Sequence, residues 1–76
     1  MLEYDQLLDV SGLACPMPLL KMKQSINTMS VGGVLYVITT DKASVRDFAV
    51  FLKQAGHVLV EQHESDKQYH FWIKKG

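Results

Sequence analysis

Cys15 is the single cysteine of the chain, and it stands directly before two alternating prolines in Ala14-Cys15-Pro16-Met17-Pro18. Proline suits the first position of a helix, where its missing N–H would find no intrahelical acceptor. Pro16 is therefore expected at that first position, with Cys15 as the N-cap. The residue before a proline is pushed to extended geometry, which an N-cap also requires. Pro18 lacks an N–H too, so Met17 and Leu19 supply the donors of the opening turn, and the sulfur is expected to face the Met17 amide. A helix N-terminus carries a partial positive charge that favours thiolate over thiol. Cys15 thus reads as a nucleophile, held in a stiff, projecting turn.

The surroundings narrow the chemistry. A cysteine hydrolase needs a base, usually histidine, oriented by a third group. His57, His63 and His70 all lie in the last third of the chain, where the pattern predicts strands, so none is expected beside the thiol. Three histidines and one cysteine without ligand spacing predict no metal site, and no cofactor is expected. A thiol without base or metal can still exchange with another sulfur or take up a sulfur atom as a persulfide. The absence of a second cysteine argues against a self-contained dithiol oxidoreductase. The plainer alternative is a buried cysteine acting as a small hydrophobe. Its place in a loop between Gly12 and two prolines favours exposure instead.

The elements that position this thiol follow from periodicity. Leu7, Leu8 and Val10, stopped by Ser11-Gly12, predict a first strand. Leu19, Met22, Ile26 and Met29 recur at helical spacing from Pro16 onward, with Lys21, Lys23, Gln24 and Asn27 on the other side. Val34 to Ile38 runs apolar without alternation, as a central strand does. Val45, Phe48, Ala49, Leu52 and Ala55 mark a second helix, opened by Asp41 or Ser44 and closed by Gly56. Val58 and Val60 alternate with Leu59 and Glu61 in a third strand. Ser65-Asp66-Lys67 turns the chain, and Tyr69, Phe71 and Ile73 alternate with His70, Trp72 and Lys74 in a fourth.

The order is βαβαββ. Right-handed crossovers place both helices on one face of the sheet, which predicts an α+β two-layer sandwich with a four-stranded mixed sheet. The fourth strand can add at the edge or between the second and third. Trp72 and His70 are expected on the face without helices.

Composition sets the remaining bounds. Seventy-six residues, 47% hydrophobic and 21% charged, predict one globular domain spanning 1–76. Eight Lys or Arg balance eight Asp or Glu, so no positive field favours nucleic acid. No segment approaches the roughly 20 apolar residues of a membrane span. Met1-Leu2-Glu3-Tyr4-Asp5 lacks the basic start and apolar run of a signal peptide. With no disulfide possible within the chain, a reducing cytoplasmic setting is expected.

Asp9-Val10-Ser11-Gly12-Leu13-Ala14-Cys15-Pro16-Met17-Pro18 resembles the signature of the TusA/SirA-like sulfur-carrier family, a Cys-Pro-x-Pro motif after Asp-x-x-Gly. Asp41-Lys42-Ala43-Ser44-Val45-Arg46-Asp47 is similar to the start of that family's second helix, and Phe71-Trp72-Ile73-Lys74-Lys75 to its closing strand. The resemblance implies a βαβαββ sandwich. It also implies a sulfurtransferase-like carrier, rather than a stand-alone turnover enzyme, whose Cys15 takes persulfide sulfur from a cysteine desulfurase or rhodanese-like donor and passes it to an acceptor sulfur-relay protein. Pro16, Met17, Pro18, Asp41, Arg46 and Asp47 are the matching positions for partner contact. Tus-type members serving tRNA thiolation commonly carry Arg and Glu where this chain has Ala14 and Met17. Loss of that acid is expected to ease thiolate formation. The alternative function is a regulatory or interaction module that docks a partner at the cysteine region without moving sulfur.

Overall fold

In a computed structural model, residues 3–76 are described; Met1 and Leu2, part of the segment inspected above for a signal peptide, lie outside the described residues. Six elements follow one another: β1 (Gln6–Asp9), α1 (Met17–Asn27), β2 (Val34–Thr39), α2 (Ala43–Ala55), β3 (Val58–Ser65) and β4 (Gln68–Lys74). They form one four-stranded sheet in the order β1-β2-β4-β3. β1 runs parallel to β2, with Leu7 opposite Tyr36. β4 is antiparallel to both its neighbours, with Trp72 opposite Tyr36 on one side and Ile73 opposite Leu59 on the other.

The fourth strand therefore inserts between the second and third. Burial explains the choice. Phe71, Trp72 and Ile73 are all buried, which requires cover on both faces and partners on both edges. In β3, Val58 and Val60 are about half exposed, at 54% and 46%, and the strand continues through Glu61, Gln62, His63 and Glu64. A charged strand with a register irregularity between Leu59 and Glu61 tolerates an edge, where an apolar flat one would invite pairing with another chain. The hairpin between β3 and β4 turns through Asp66 (φ 50°) and Lys67 (φ 64°), the two left-handed positions of a tight turn.

Both helices pack on one face of the sheet. Met22 and Ile26 of α1 and Phe48 and Leu52 of α2 close over Val10, Leu35, Val37, Phe71 and Ile73. The Phe48 and Phe71 rings meet tilted, with centroids 4.7 Å apart. The buried side of α2 starts at Ser44 and includes the half-buried Val45 and Phe51, whereas Ala49 and Ala55 face water, so the stripe is rotated slightly from the one expected. Ser44 is recruited inward because its hydroxyl pairs with Thr39 Oγ1 at 3.1 Å, satisfying two buried hydroxyls at once. On the other face Tyr36 stacks on Trp72 at 4.5 Å with nearly parallel rings. The Tyr36 hydroxyl also shares a 2.7 Å hydrogen bond with His70 Nδ1.

Candidate functional site

Two parallel strands side by side bring their following loops to the same end of the sheet, the place where open α/β sheets build sites. Here those loops are the one from β1 to α1, carrying Cys15, and the one from β2 to α2, carrying Asp41. They are tied together by the Gly12 amide, which donates to Thr40 Oγ1 at 2.8 Å. Gly12 has φ 84°, a conformation that a side chain resists. Three residues earlier, Asp9 Oδ1 accepts the Ser11 amide at 3.0 Å. These bonds from Ser11 hold the Asp9 carboxyl below its usual range. Asp9 and Gly12 thus fix the bend that throws the cysteine segment over the ends of the strands.

The start of α1 is one residue later than expected. Its first helical residue is Met17, the N-cap is Pro16 with φ −96° and ψ 9°, and no side chain caps it. Cys15 precedes the cap, and its peptide bond to Pro16 is cis. The reason for the shift lies in the amides. The Met17 N–H donates back to the Ala14 carbonyl at 2.9 Å, closing a four-residue turn around Cys15 and Pro16 before the helix begins. That same bond removes the donor expected to face the sulfur. Pro18 has no N–H to offer and is buried.

The sulfur points elsewhere. Cys15 is exposed, and its Sγ donates to Asp47 Oδ2 at 3.4 Å. Asp47 lies on the second turn of α2, so the fold joins the two helix starts through this bond. A carboxylate accepting a hydrogen bond from a thiol stabilises the protonated form, and deprotonation would put two negative charges in contact. The Cys15 thiol is accordingly pushed above its ordinary value, chiefly by the bond to Asp47, with the charges of Asp47 and Asp41 acting in the same sense. This corrects the expectation of a dipole-assisted thiolate. One acid is missing at Met17, and two others arrive from α2 and the loop before it.

Asp41 is fixed by its own bonds. Its Oδ1 accepts the Ala43 amide at 3.2 Å, its carbonyl accepts the Ser44 amide, and its N–H donates to Thr39 Oγ1 at 3.0 Å. The nominal N-cap of α2 is Lys42, which makes no side-chain cap. Neither Asp41 nor Ser44 is the N-cap, yet Asp41 does the capping from one residue upstream.

Beside the thiol runs an open groove of about 520 Å³ between the helices, lined by Leu19 and Lys23 of α1 and by Arg46, Asp47, Val50 and Phe51 of α2, among others. Leu19, Val50 and Phe51 give it apolar surface, and Lys23 and Arg46 bring cations beside Asp47, with Lys23 Nζ 4.9 Å from the centre of the Phe51 ring. Met17 at 40% and Leu20 at 43% exposure extend the apolar rim along α1. Of the residues marked in the sequence, the structure brings Cys15, Asp47 and Asp41 into one electrostatic unit and puts Arg46 in the adjoining groove. Pro16 and Met17 stay on the surface next to the thiol, and Pro18 is turned inward. Lys23, Val50 and Phe51 carried no sequence signal of their own, because only the packing of α1 on α2 makes them neighbours.

The histidines are engaged elsewhere. His57 Nδ1 accepts the Gly76 amide, His70 bonds Tyr36, and His63 is exposed on β3 opposite His70. Among the described residues no group of three or more His, Cys, Asp or Glu side chains could hold a metal ion.

The profile of the family described as "Sulfurtransferase TusA" matches residues 6–75. The chain belongs to the TusA family. It is 52% identical over 75 residues to the sulfur carrier protein TusA of Allochromatium vinosum, covering 99% of each chain. It is 41% identical over 71 residues to TusA of Pseudomonas aeruginosa, covering 93% of this chain and 90% of that one. The crystal structure of a SirA-like protein from Desulfitobacterium hafniense superposes with a TM-score of 0.84 over 95% of this chain and 99% of that one, at 23% identity; that likeness concerns the fold. For a TusA-family chain, the sandwich, the mixed sheet and the two helices on one face are as the sequence pattern predicts. No helix among the described residues is long and apolar enough to cross a membrane.

Proposed function

We propose that this TusA-family protein is a sulfur carrier whose Cys15 accepts sulfur as a persulfide from a donor enzyme, a cysteine desulfurase or a rhodanese-like protein, and hands it to an acceptor protein. The observation that carries the reading is the exposed Cys15 thiol at the head of α1 with a carboxylate, and no histidine, as its hydrogen-bond partner. Such a thiol suits sulfur exchange between proteins better than hydrolysis of a small substrate. The names of the similar proteins support the same reading.

Written with its atoms balanced, loading joins the Cys15 thiolate to the terminal sulfur of a donor persulfide, R–S–SH. The bond between that sulfur and the donor's own sulfur breaks, and the donor leaves as R–S⁻ with the electron pair. The products are Cys15–S–SH and a donor thiolate, with no external oxidant or reductant. Delivery repeats the step with the acceptor's thiolate attacking the carried sulfur. In this reading Met17 and Leu20 form the apolar rim a partner covers, Pro16 and Pro18 hold the turn, and Asp41, Arg46 and Asp47 present charge beside it. One domain spanning 1–76, in a reducing cytoplasmic setting where the thiol persists, fits the same role.

Incubation with a cysteine desulfurase and cysteine, followed by intact mass measurement, should add one sulfur atom to the wild type and none to Cys15→Ser. No adduct from a panel of desulfurases and rhodaneses would remove the carrier reading and leave a docking module that moves no sulfur.

A further inference from the structure

A carrier thiol must react with its donor and stay inert toward every other electrophile it meets, yet Cys15 is exposed. Only the thiolate is an effective nucleophile. In the free protein the sulfur donates its proton to Asp47 Oδ2 at 3.4 Å, an arrangement that exists only while the sulfur is protonated. The second carboxylate, Asp41, uses Oδ1 to hold the start of α2, while its Oδ2 is buried without a hydrogen-bond partner. A carboxylate oxygen shut from water with nothing to accept is unfavourable. A cation brought to this end of the sheet would meet the Asp47 carboxylate, which lines the open groove, with the charge of Asp41 behind it. The cations of the chain that share the site, Lys23 and Arg46, line the groove beside Asp47, and Lys23 lies over Phe51.

We infer that Asp47 is a positioning residue that keeps Cys15 protonated between encounters, and that a cationic side chain on a docking partner, by pairing with the Asp47 carboxylate, releases the sulfur as thiolate at the moment of contact. The inference rests on the carrier reading above. On release, the S–H hydrogen bond breaks and the proton passes to water at the exposed sulfur. The thiolate then attacks the donor's terminal sulfur as written above, and the departing donor thiolate takes a proton from water. No net proton or electron is consumed. Specificity follows from charge: a partner presenting lysine or arginine at this point activates the thiol, and one presenting an acid does not.

The test is the pH profile of Cys15 alkylation by iodoacetamide in the free protein at low ionic strength, with no sulfur donor present. Asp47→Asn should move the profile toward lower pH and speed alkylation severalfold near neutrality. The lower nucleophilicity of a more acidic thiol offsets only part of that gain. Asp41→Asn should move it in the same direction by less. A tetra-arginine peptide, standing in for the partner's cation, should accelerate wild type more than Asp47→Asn. A merely structural Asp47 would leave the midpoint in place. Superimposable profiles for wild type and Asp47→Asn overturn the inference, as does equal acceleration of both by the peptide or acceleration of neither. Asp47→Ser takes the place of Asp47→Asn if that variant's circular dichroism shows it unfolded. Sulfur loading is read separately by mass: loading with unmoved profiles removes the latch and keeps the carrier, whereas moved profiles without loading of wild type remove the carrier and keep the latch.

Discussion

Helix α1 is entered through Pro16 and helix α2 through Lys42, and neither of these N-cap residues gives its helix a side-chain acceptor. At both starts the telling residue stands one step earlier. Asp41 turns toward its own helix and accepts the Ala43 amide. Cys15 turns away from its own helix and bonds to Asp47 of the other. The difference comes from amide supply. In α1 the prolines have no N–H and Met17 has committed its own to Ala14, so the amide expected to face the sulfur is already spent. The macrodipole there amounts to roughly half a charge. A whole carboxylate charge in hydrogen-bond contact outweighs it, and the thiol moves up rather than down.

The largest test of this contrast is whether α2 is held firmly enough to present Asp47. Phe48 is fully buried and packs on Phe71. Phe48→Ala should cost about 3–5 kcal/mol in urea unfolding followed by Trp72 fluorescence, much of what a domain this small has. A loss below about 1 kcal/mol would mean that α2 is anchored by something other than its core face.

Capping should separate the two starts next. Asp41→Ala removes a working acceptor and should destabilise by about 1 kcal/mol. Cys15→Ser caps nothing in its own helix and should stay within about 0.5 kcal/mol of wild type. Equal losses from the two variants would erase the distinction drawn between them.

A smaller effect would sharpen it. Met17 is exposed at 40% and occupies the first turn of α1, so Met17→Glu should stabilise that helix by about 0.5 kcal/mol. It should also slow Cys15 alkylation at neutral pH by adding a third negative charge beside the sulfur. Faster alkylation would contradict the view that nearby carboxylates set the protonation of this thiol.

The smallest effects lie in the pH dependence of stability, and their signs differ. The folded thiol is held above its ordinary value, so its contribution is whole below the unfolded value and is lost as pH rises through the folded one. Asp9 is held below its ordinary value, so its contribution is present above the unfolded value and is lost as pH falls through the folded one. Both groups face solvent, and urea midpoints should fall only shallowly at either extreme. Asp9→Asn should flatten the acid side and leave the alkaline side alone, where Cys15→Ser acts.

Residue types and their spacing were enough to settle the order βαβαββ, the core face of α1 through Met22 and Ile26, the Gly56 stop and the exposure of Cys15 ahead of two prolines. Each of these is a local preference of backbone or side chain that neighbouring residues reinforce. The position of β4 between β2 and β3, the late start of α1 at Met17, the groove residues Lys23 and Phe51, and the bond from Cys15 to Asp47 were decided by tertiary structure alone. The reason is sequence distance: Cys15 and Asp47 are 32 residues apart, and no periodicity encodes which charge will lie against an exposed sulfur once two crossovers have brought two helix starts to one end of a sheet. Cys15 could be recognised from its neighbours in the chain; its state of protonation depends on a neighbour in space.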